Sequence, residues 1–339
     1  MRILILGGTG LISTALTRVL VERGDRVVHF NRGRTPPRHG SAVETIQGDR
    51  TDFPAFEAQM ASVEPFDCVV DMIGYRRAEA ESAVRAFRGR TGQYVFCSTV
   101  DVYRKPAGRY PITEAEPRFN DNWDYARCKI ECEDVVLAAH ARGDLAATVI
   151  RPAYTYGEGG RIIHSFGGGS AYLDRLRKGK PIVVHGDGNS LWSCCHIDDV
   201  ARAMVAATLS PAARGACYHV TGDEWLSWNQ YHLQMAEALG APPPTLVHIP
   251  TDLLARIAPE RARICALNFQ FNNIFDNTAA RRDLAFRYTI PWREGAARAA
   301  AWLHEQGRIE DSDQDPYDDR ILALWRRLET EITAAAPGA

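Results

Sequence analysis

The sequence predicts an α/β protein built on a doubly wound parallel sheet, with a smaller C-terminal α/β substrate domain, and three observations carry that prediction. Short strand-like segments at residues 3–6, 26–30, 44–47, 66–73 and 93–97 alternate with helical stretches. The connections are short, so parallel neighbours are joined by single crossover helices. A glycine-rich turn, Gly7-Gly8-Thr9-Gly10, stands between the first strand and the first helix.

Residues 3–6 are unbroken in their apolar character, as a strand buried on both faces requires. Leu11, Ala15, Leu16, Val19 and Leu20 then recur at helical spacing. Glycines at such a junction let the backbone turn tightly and approach a pyrophosphate, whose charge meets the free N–H groups of the helix N-terminus. Ser13 stands where a third Gly or Ala would give the closest helix–strand packing.

The second strand ends at Asn31-Arg32-Gly33-Arg34, and Thr35-Pro36-Pro37 begins a loop. A carboxylate at this strand end holds the adenosine ribose 2′-hydroxyl of a dinucleotide, whereas guanidiniums meet a 2′-phosphate. The NAD(P) expected here is therefore NADP in preference to NAD. After the third strand, Asp49 either accepts a hydrogen bond from an adenine amino group or caps the helix over residues 53–63. The fourth strand closes at Gly74-Tyr75, and a helix over residues 78–87 puts Ala80, Val84 and Phe87 on one face. The fifth ends at Ser98-Thr99. Ligands of open parallel sheets lie beyond the C-terminal strand ends, where all these residues gather.

A helix then opens at Asp124-Tyr125-Ala-Arg-Cys-Lys129, and its i, i+4 spacing puts Tyr125 and Lys129 on one face. An ammonium beside a phenol lowers the phenol pKa towards neutrality, and the Thr99 hydroxyl could hold a substrate oxygen between them.

Composition narrows the classes. Of 339 residues 24% are charged and 45% apolar, and the formal net charge of −2 offers no footprint for nucleic acid or an anionic membrane. No apolar run approaches the ~18 residues of a transmembrane helix, and no signal peptide precedes the first strand, so a cytoplasmic location is expected. The eight cysteines form no Cys-x-x-Cys and no zinc set, and read as buried free thiols with no metal.

Gly7-Gly-Thr-Gly10-Leu11-Ile12, Gly48-Asp49, Ser98-Thr99-Val-Asp-Val-Tyr103, Tyr125-Ala-Arg-Cys-Lys129, Ile150-Arg151-Pro152-Ala-Tyr-Thr-Tyr156-Gly157, His196-Ile-Asp198-Asp199 and Phe275-Asp276-Asn277 occur in that order. Together they resemble the extended short-chain dehydrogenase/reductase family, of the NAD-dependent epimerase/dehydratase type. The resemblance implies a Rossmann domain over residues 1–150, rejoined by parts of 181–210 and 270–290. Residues 151–339 would then form mainly a substrate domain with a helical tail. It implies Thr99, Tyr125 and Lys129 as catalytic residues and a homodimeric assembly. Cofactor contacts would come from Gly7, Gly10, Leu11, Ile12, Asn31, Arg32, Arg34, Asp49, Arg50, Met72, Gly74, Tyr125, Lys129 and Pro152. Tyr75, Asp101, Tyr154 and Trp192 are substrate candidates. Trp192 replaces an Arg that often contacts the nucleotide in nucleotide-sugar enzymes, and either stacks on a ligand ring or fills core. The expected activity is epimerisation of a sugar, sugar nucleotide or nucleoside-like polyol through a keto intermediate. An NADPH-dependent carbonyl reductase and a non-catalytic dinucleotide- or RNA-binding relative are the alternatives.

In the second half, strands are expected at 181–184 and 216–220, and helices at 200–209, 228–239 and 321–332. Residues 275–306 carry one amphipathic helical pattern that Gly307 would stop, and the acidic run 311–319 reads as solvated. The glycine-rich loops 157–160 and 167–170 are either lids or plain connections. Residues 334–339 are expected to fray.

Overall fold

The structure, a computed structural model, describes residues 1–35, 40–208 and 210–336. The expected loop start at Pro36-Pro37, Leu209 of the helix expected over 200–209, and the last three residues of the tail lie outside the described residues. The chain forms two compact units: Met1–Thr155 with Cys194–Asp223 and Phe275–Ile290, and Tyr156–Ser193 with Glu224–Ile274 and Pro291–Ala339.

The first unit begins with β1 (Arg2–Leu6), α1 (Leu11–Glu22), β2 (Arg26–Asn31), β3 (Val43–Gln47), α2 (Phe53–Ser62), β4 (Phe66–Asp71), α3 (Arg77–Phe87) and β5 (Thr91–Cys97). The helix α4 (Asp124–Ala141) and strand β6 (Ala147–Pro152) follow. Seven strands lie in the order Cys217–Val220, β6, β5, β4, β1, β2, β3, and every neighbouring pair is parallel. The order reverses at β1, whose Leu6 pairs with Phe30 on one side and Asp71 on the other. The crevice beyond that reversal is where the first glycine turn emerges.

Alternation along β1 sends side chains into two cores. Ile3 and Ile5 pack with Leu16 and Leu20 of α1 and with Val200 and Met204 of the helix Ile197–Ala207. Leu4 and Leu6 pack with Phe56, Met60, Phe87, Tyr94 and Val136, which come from α2, α3, β5 and α4. All four β1 side chains are fully buried; each such aliphatic stabilises the fold by ~1.5–3 kcal/mol relative to exposure.

The second unit has no large sheet among its described residues. Ile182–His185 pairs in parallel with Leu246–Ile249, and Leu191–Trp192 pairs antiparallel with Leu226–Ser227. Aromatic side chains fill its interior. Trp228 lies 5.2 Å from Trp192 and 4.6 Å from Phe269 between ring centroids, and Tyr231 stacks on Trp292 at 4.2 Å.

Two expectations need correction. The helical pattern over residues 275–306 is two helices, Thr278–Leu284 and Trp292–Glu305. The first ends at Ala285 in the left-handed region, with φ 49°, and Pro291 cannot continue an upstream helix but suits the start of the next. The acidic run at 311–319 is not simply solvated either: Lys178 Nζ lies 2.6 Å from carboxylate oxygens of both Asp311 and Asp313.

Candidate active site

The turn after β1 is shaped by what surrounds each glycine. Gly7 has φ +84°, and a Cβ there would lie 2.3 Å from Ile73 Cγ2. A Cβ on Gly8 would lie 2.2 Å from the His29 ring. These two glycines are therefore required by the fold itself. Gly10 differs: the nearest atom to its Cβ would be Ser13 Oγ at 3.4 Å, so its open side faces the cavity. Ser13 Oγ donates to the Gly7 carbonyl at 2.7 Å and closes the turn, a role that a third Gly or Ala could not fill.

α1 starts at Leu11, and its first intrahelical bond runs from Thr14 N to the Gly10 carbonyl at 3.0 Å. The N–H groups of Leu11, Ile12 and Ser13 precede any helical acceptor. No acidic residue occupies the first turn, and Gly10 supplies no side-chain cap. An anion-sized acceptor fits this end of the helix, so the residues present suit a pyrophosphate.

Two cavities meet there, both lined by Gly7, Gly10, Ile73 and Tyr75. The larger, 430 Å³, runs over the ends of β2 and β3 and is lined by Asn31, Arg32, Arg34, Asp49, Arg50, Thr51 and Glu79 among others. Asn31 Oδ1 accepts from Gly33 N at 2.8 Å and shapes the loop. Arg32 and Arg34 are exposed, and no ion pair engages either among the described residues. Asp49 accepts from Thr51 N at 2.9 Å and Thr51 Oγ1 at 2.7 Å. The Thr51 bonds first, and then the charges of Arg32 and Arg34, hold its carboxyl below the ordinary range. The cap of α2 is Asp52, which accepts from Ala55 N, so Asp49 stays on the cavity wall.

Arg50 also lines this cavity, but its guanidinium is 4% exposed and turned into the protein. Nη1 meets Asp71 Oδ1 at 2.6 Å and Nη2 donates to the Glu79 carbonyl at 3.0 Å. A buried carboxylate at the end of β4 demands a partner, and Arg50 supplies it.

The smaller cavity, 300 Å³, brings together Leu11, Ile12, Met72, Ser98, Thr99, Tyr125, Lys129 and Pro152. Thr99 Oγ1 donates to Asp101 Oδ2 at 3.1 Å and accepts from Asp101 N at 3.2 Å. Asp101 thus reaches the site through Thr99. Gly74 lies on neither wall, but its carbonyl is the acceptor for Lys129 Nζ at 2.8 Å. The Cys97 carbonyl is a second acceptor at 2.8 Å. Lys129 is 2% exposed, and its ammonium also lies 4.8 Å from the Tyr75 ring centroid and 4.9 Å from that of Phe96.

This arrangement overturns one expectation. Lys129 does not draw the Tyr125 phenol towards neutrality in this structure. Although the residue is 37% exposed, desolvation raises the phenol above its ordinary value of 10.0, and Asp101, Cys97 and Tyr75 add to the rise, against a hydrogen bond with Thr99. Tyr125 is consequently protonated at neutral pH and stands as a donor.

Two substrate candidates lie elsewhere. Ala153 and Thr155 line the smaller cavity, but Tyr154 does not, in keeping with the alternation of side chains along the strand Tyr154–Tyr156. Trp192 is 5% exposed and belongs to the aromatic core of the second unit. Glu79 and Cys97 escaped the sequence reading. Glu79 carried a signal, an acid in the first turn of a helix; a backbone carbonyl such as that of Cys97 has none.

A parallel sheet with an open helix N-terminus at its reversal point, and a Thr–Tyr–Lys group beside it, defines a dinucleotide-dependent enzyme of the Rossmann type. Residues 3–220 match the NAD dependent epimerase/dehydratase family, and the chain belongs to that family. It is an extended short-chain dehydrogenase/reductase. It is 29% identical over 318 residues to 2'-dehydrokanamycin reductase of Streptomyces kanamyceticus, covering 92% of this chain and 87% of the relative. It is 27% identical to the chloroplast stem-loop binding protein of 41 kDa b of Arabidopsis thaliana, covering 73% of this chain and 65% of that one. Among solved structures, UDP-glucuronic acid 4-epimerase from Bacillus cereus in complex with NAD shares the fold, with TM-score 0.68 and 17% identity over 90% of this chain and 99% of that one. No helix among the described residues is long and apolar enough to cross a membrane.

Proposed function

We propose that the protein is an NADPH-dependent carbonyl reductase acting on a sugar-like ketone. The observation that carries this reading is the end of β2, where Arg32 and Arg34 face the 430 Å³ cavity and no carboxylate takes the place that would hold a ribose 2′-hydroxyl. Two planar guanidiniums there match the doubly charged 2′-phosphate of NADP, whose oxygens accept paired N–H donors. When bound, the reduced nicotinamide supplies the hydride.

The chain's own residues supply orientation and the proton. The α1 N-terminus takes the pyrophosphate charge, and Lys129, anchored on two carbonyls, presents its remaining N–H donor to the cavity. Thr99 and Tyr125 converge on a substrate oxygen. A phenol kept protonated is suited to donate its proton to a carbonyl oxygen as negative charge develops on it. The similarity to a reductase over most of both chains supports this direction. The epimerase expected from the sequence uses the same residues but returns the hydride, with no net consumption of cofactor.

The test follows NADPH absorbance with a panel of keto-sugars and keto-aminoglycosides. Net oxidation of NADPH, lost by about 10²–10⁴-fold in Tyr125→Phe, is expected. In Arg32→Ala/Arg34→Ala the preference for NADPH over NADH should fall by about tenfold or more. Turnover of a substrate with no net change in added NADPH would instead establish the epimerase.

A further inference from the structure

Lys129 depends on a carbonyl that is itself held by a buried ionic brace. Residues 72–76 join β4 to α3 and carry Gly74, whose carbonyl takes the Lys129 ammonium. Both ends of this loop are pinned through their N–H groups. Ile73 N donates to Asp71 Oδ1 at 3.0 Å, while Tyr75 N and Arg76 N donate to Glu79 Oε2 at 2.6 and 2.9 Å. Arg50 spans the two pins, bonding the Asp71 carboxylate with one η nitrogen and the Glu79 carbonyl with the other. The Tyr94 hydroxyl donates to the second Asp71 oxygen.

The loop rests directly on this group. A Cβ on Gly74 would lie 2.6 Å from the Phe96 ring and 3.1 Å from Asp71 Oδ2. Asp71 is 0% and Arg50 4% exposed, so water cannot replace either partner without local opening.

We propose that Arg50 is a positioning residue: bridging Asp71 and Glu79, it holds the 72–76 loop where the Gly74 carbonyl fixes the Lys129 ammonium. The inference deepens the reductase reading and rests on it for its catalytic meaning, but the placement of Lys129 is testable without cofactor or substrate. Removing the fork leaves Asp71 a buried carboxylate without its cation and loosens the Ile73 end of the loop, which Asp71 pins. Lys129 then keeps only the Cys97 carbonyl.

The experiment is competitive lysine acylation of the whole protein, read by peptide mass spectrometry, with Lys178 and Lys180 as internal standards. Arg50→Gln and Arg50→Lys are compared with Met60→Ala, which loosens the same core from α2. Lys129 acylation is expected to rise about tenfold in Arg50→Gln, equivalent to ~1.4 kcal/mol of easier local opening. It should rise in the same direction in Arg50→Lys, which keeps a cation for Asp71 but cannot hold both acceptors. It should stay at the wild-type rate in Met60→Ala. Should Arg50→Gln not fold, Arg50→Lys decides alone. Lys129 protection unchanged in the folded variants, or lost equally in Met60→Ala, overturns the proposal. Neither result depends on the NADPH assay, so failure of the reductase reading is recognised separately.

Discussion

The two units place different weight on buried ions and buried imidazoles. The first buries ions: Arg50 with Asp71, and Arg151 with Glu133 through bonds of 2.9 and 2.6 Å. The second buries neutral imidazoles among aromatic rings. His164 stacks on Tyr172 at 4.8 Å, the Tyr172 hydroxyl bonds His232 Nδ1 at 2.7 Å, and His185 Nδ1 lies 3.1 Å from Ser165 Oγ. The ion pairs lie under structures that must keep fixed positions, the loop bearing Gly74 and the helix bearing Tyr125 and Lys129. Glu133 is one turn beyond Lys129 on α4, and Arg151 ties that turn to β6. Such pairs hold geometry at the risk of a large loss if one partner is removed. Buried imidazoles hold shape at the risk of protonation.

The largest expected effect is therefore acid sensitivity concentrated in the second unit. Burial pushes His164 from 6.5 down to about 3 and His185 down to about 4, and lowers His232 as well. The unfolded chain takes up protons first, so this stability is complete above pH 6.5 and falls as pH drops towards the folded values. The loss is on the order of 5 kcal/mol for His164 and about 3 kcal/mol for His185. In the first unit His219 behaves alike, lowered to about 3. Asp71 loses its contribution only below its ordinary 3.8, because burial, which would raise it, is outweighed by Arg50. Hydrogen exchange resolved by peptide, from pH 7 to pH 4, should show protection falling earlier and further in the second unit. Equal loss in both would break the contrast.

Glu133→Gln should reverse it. Leaving Arg151 buried without a carboxylate is expected to cost about 3–5 kcal/mol, seen at pH 7 as lost protection in α4 and β6 with the second unit's protection kept. A uniform decline across the chain would mean that the pair is not local in its effect. Ser13→Ala sharpens the comparison at the small end. Loss of the bond to the Gly7 carbonyl should cost about 1 kcal/mol, confined to the glycine turn and accompanied by weaker NADPH binding in a fluorescence titration.

The first half of the fold was legible because β1, β4 and β5 are compact apolar runs each followed by a helical period, and because glycine marks the turn between β1 and α1. Thr99, Tyr125 and Lys129 were legible through spacing and order of motifs. Which way the Arg50 and Trp192 side chains point was not legible. Their residue types suit a ligand, and a linear sequence does not say which side of the chain faces a cavity. The short strands of the second unit were partly hidden, since pairs such as Leu191–Trp192 with Leu226–Ser227 span two residues each and carry no period.

The sequence by itself determined the doubly wound sheet, the glycine turn at its reversal point and the shared face of Tyr125 and Lys129, because local periodicity and backbone freedom are properties of neighbouring residues. Only the tertiary structure decided what the charges do. Lys129 holds two carbonyls, Arg50 turns inward to Asp71, and Tyr125 stays protonated, because burial and partners far apart in sequence set the energy of a charge.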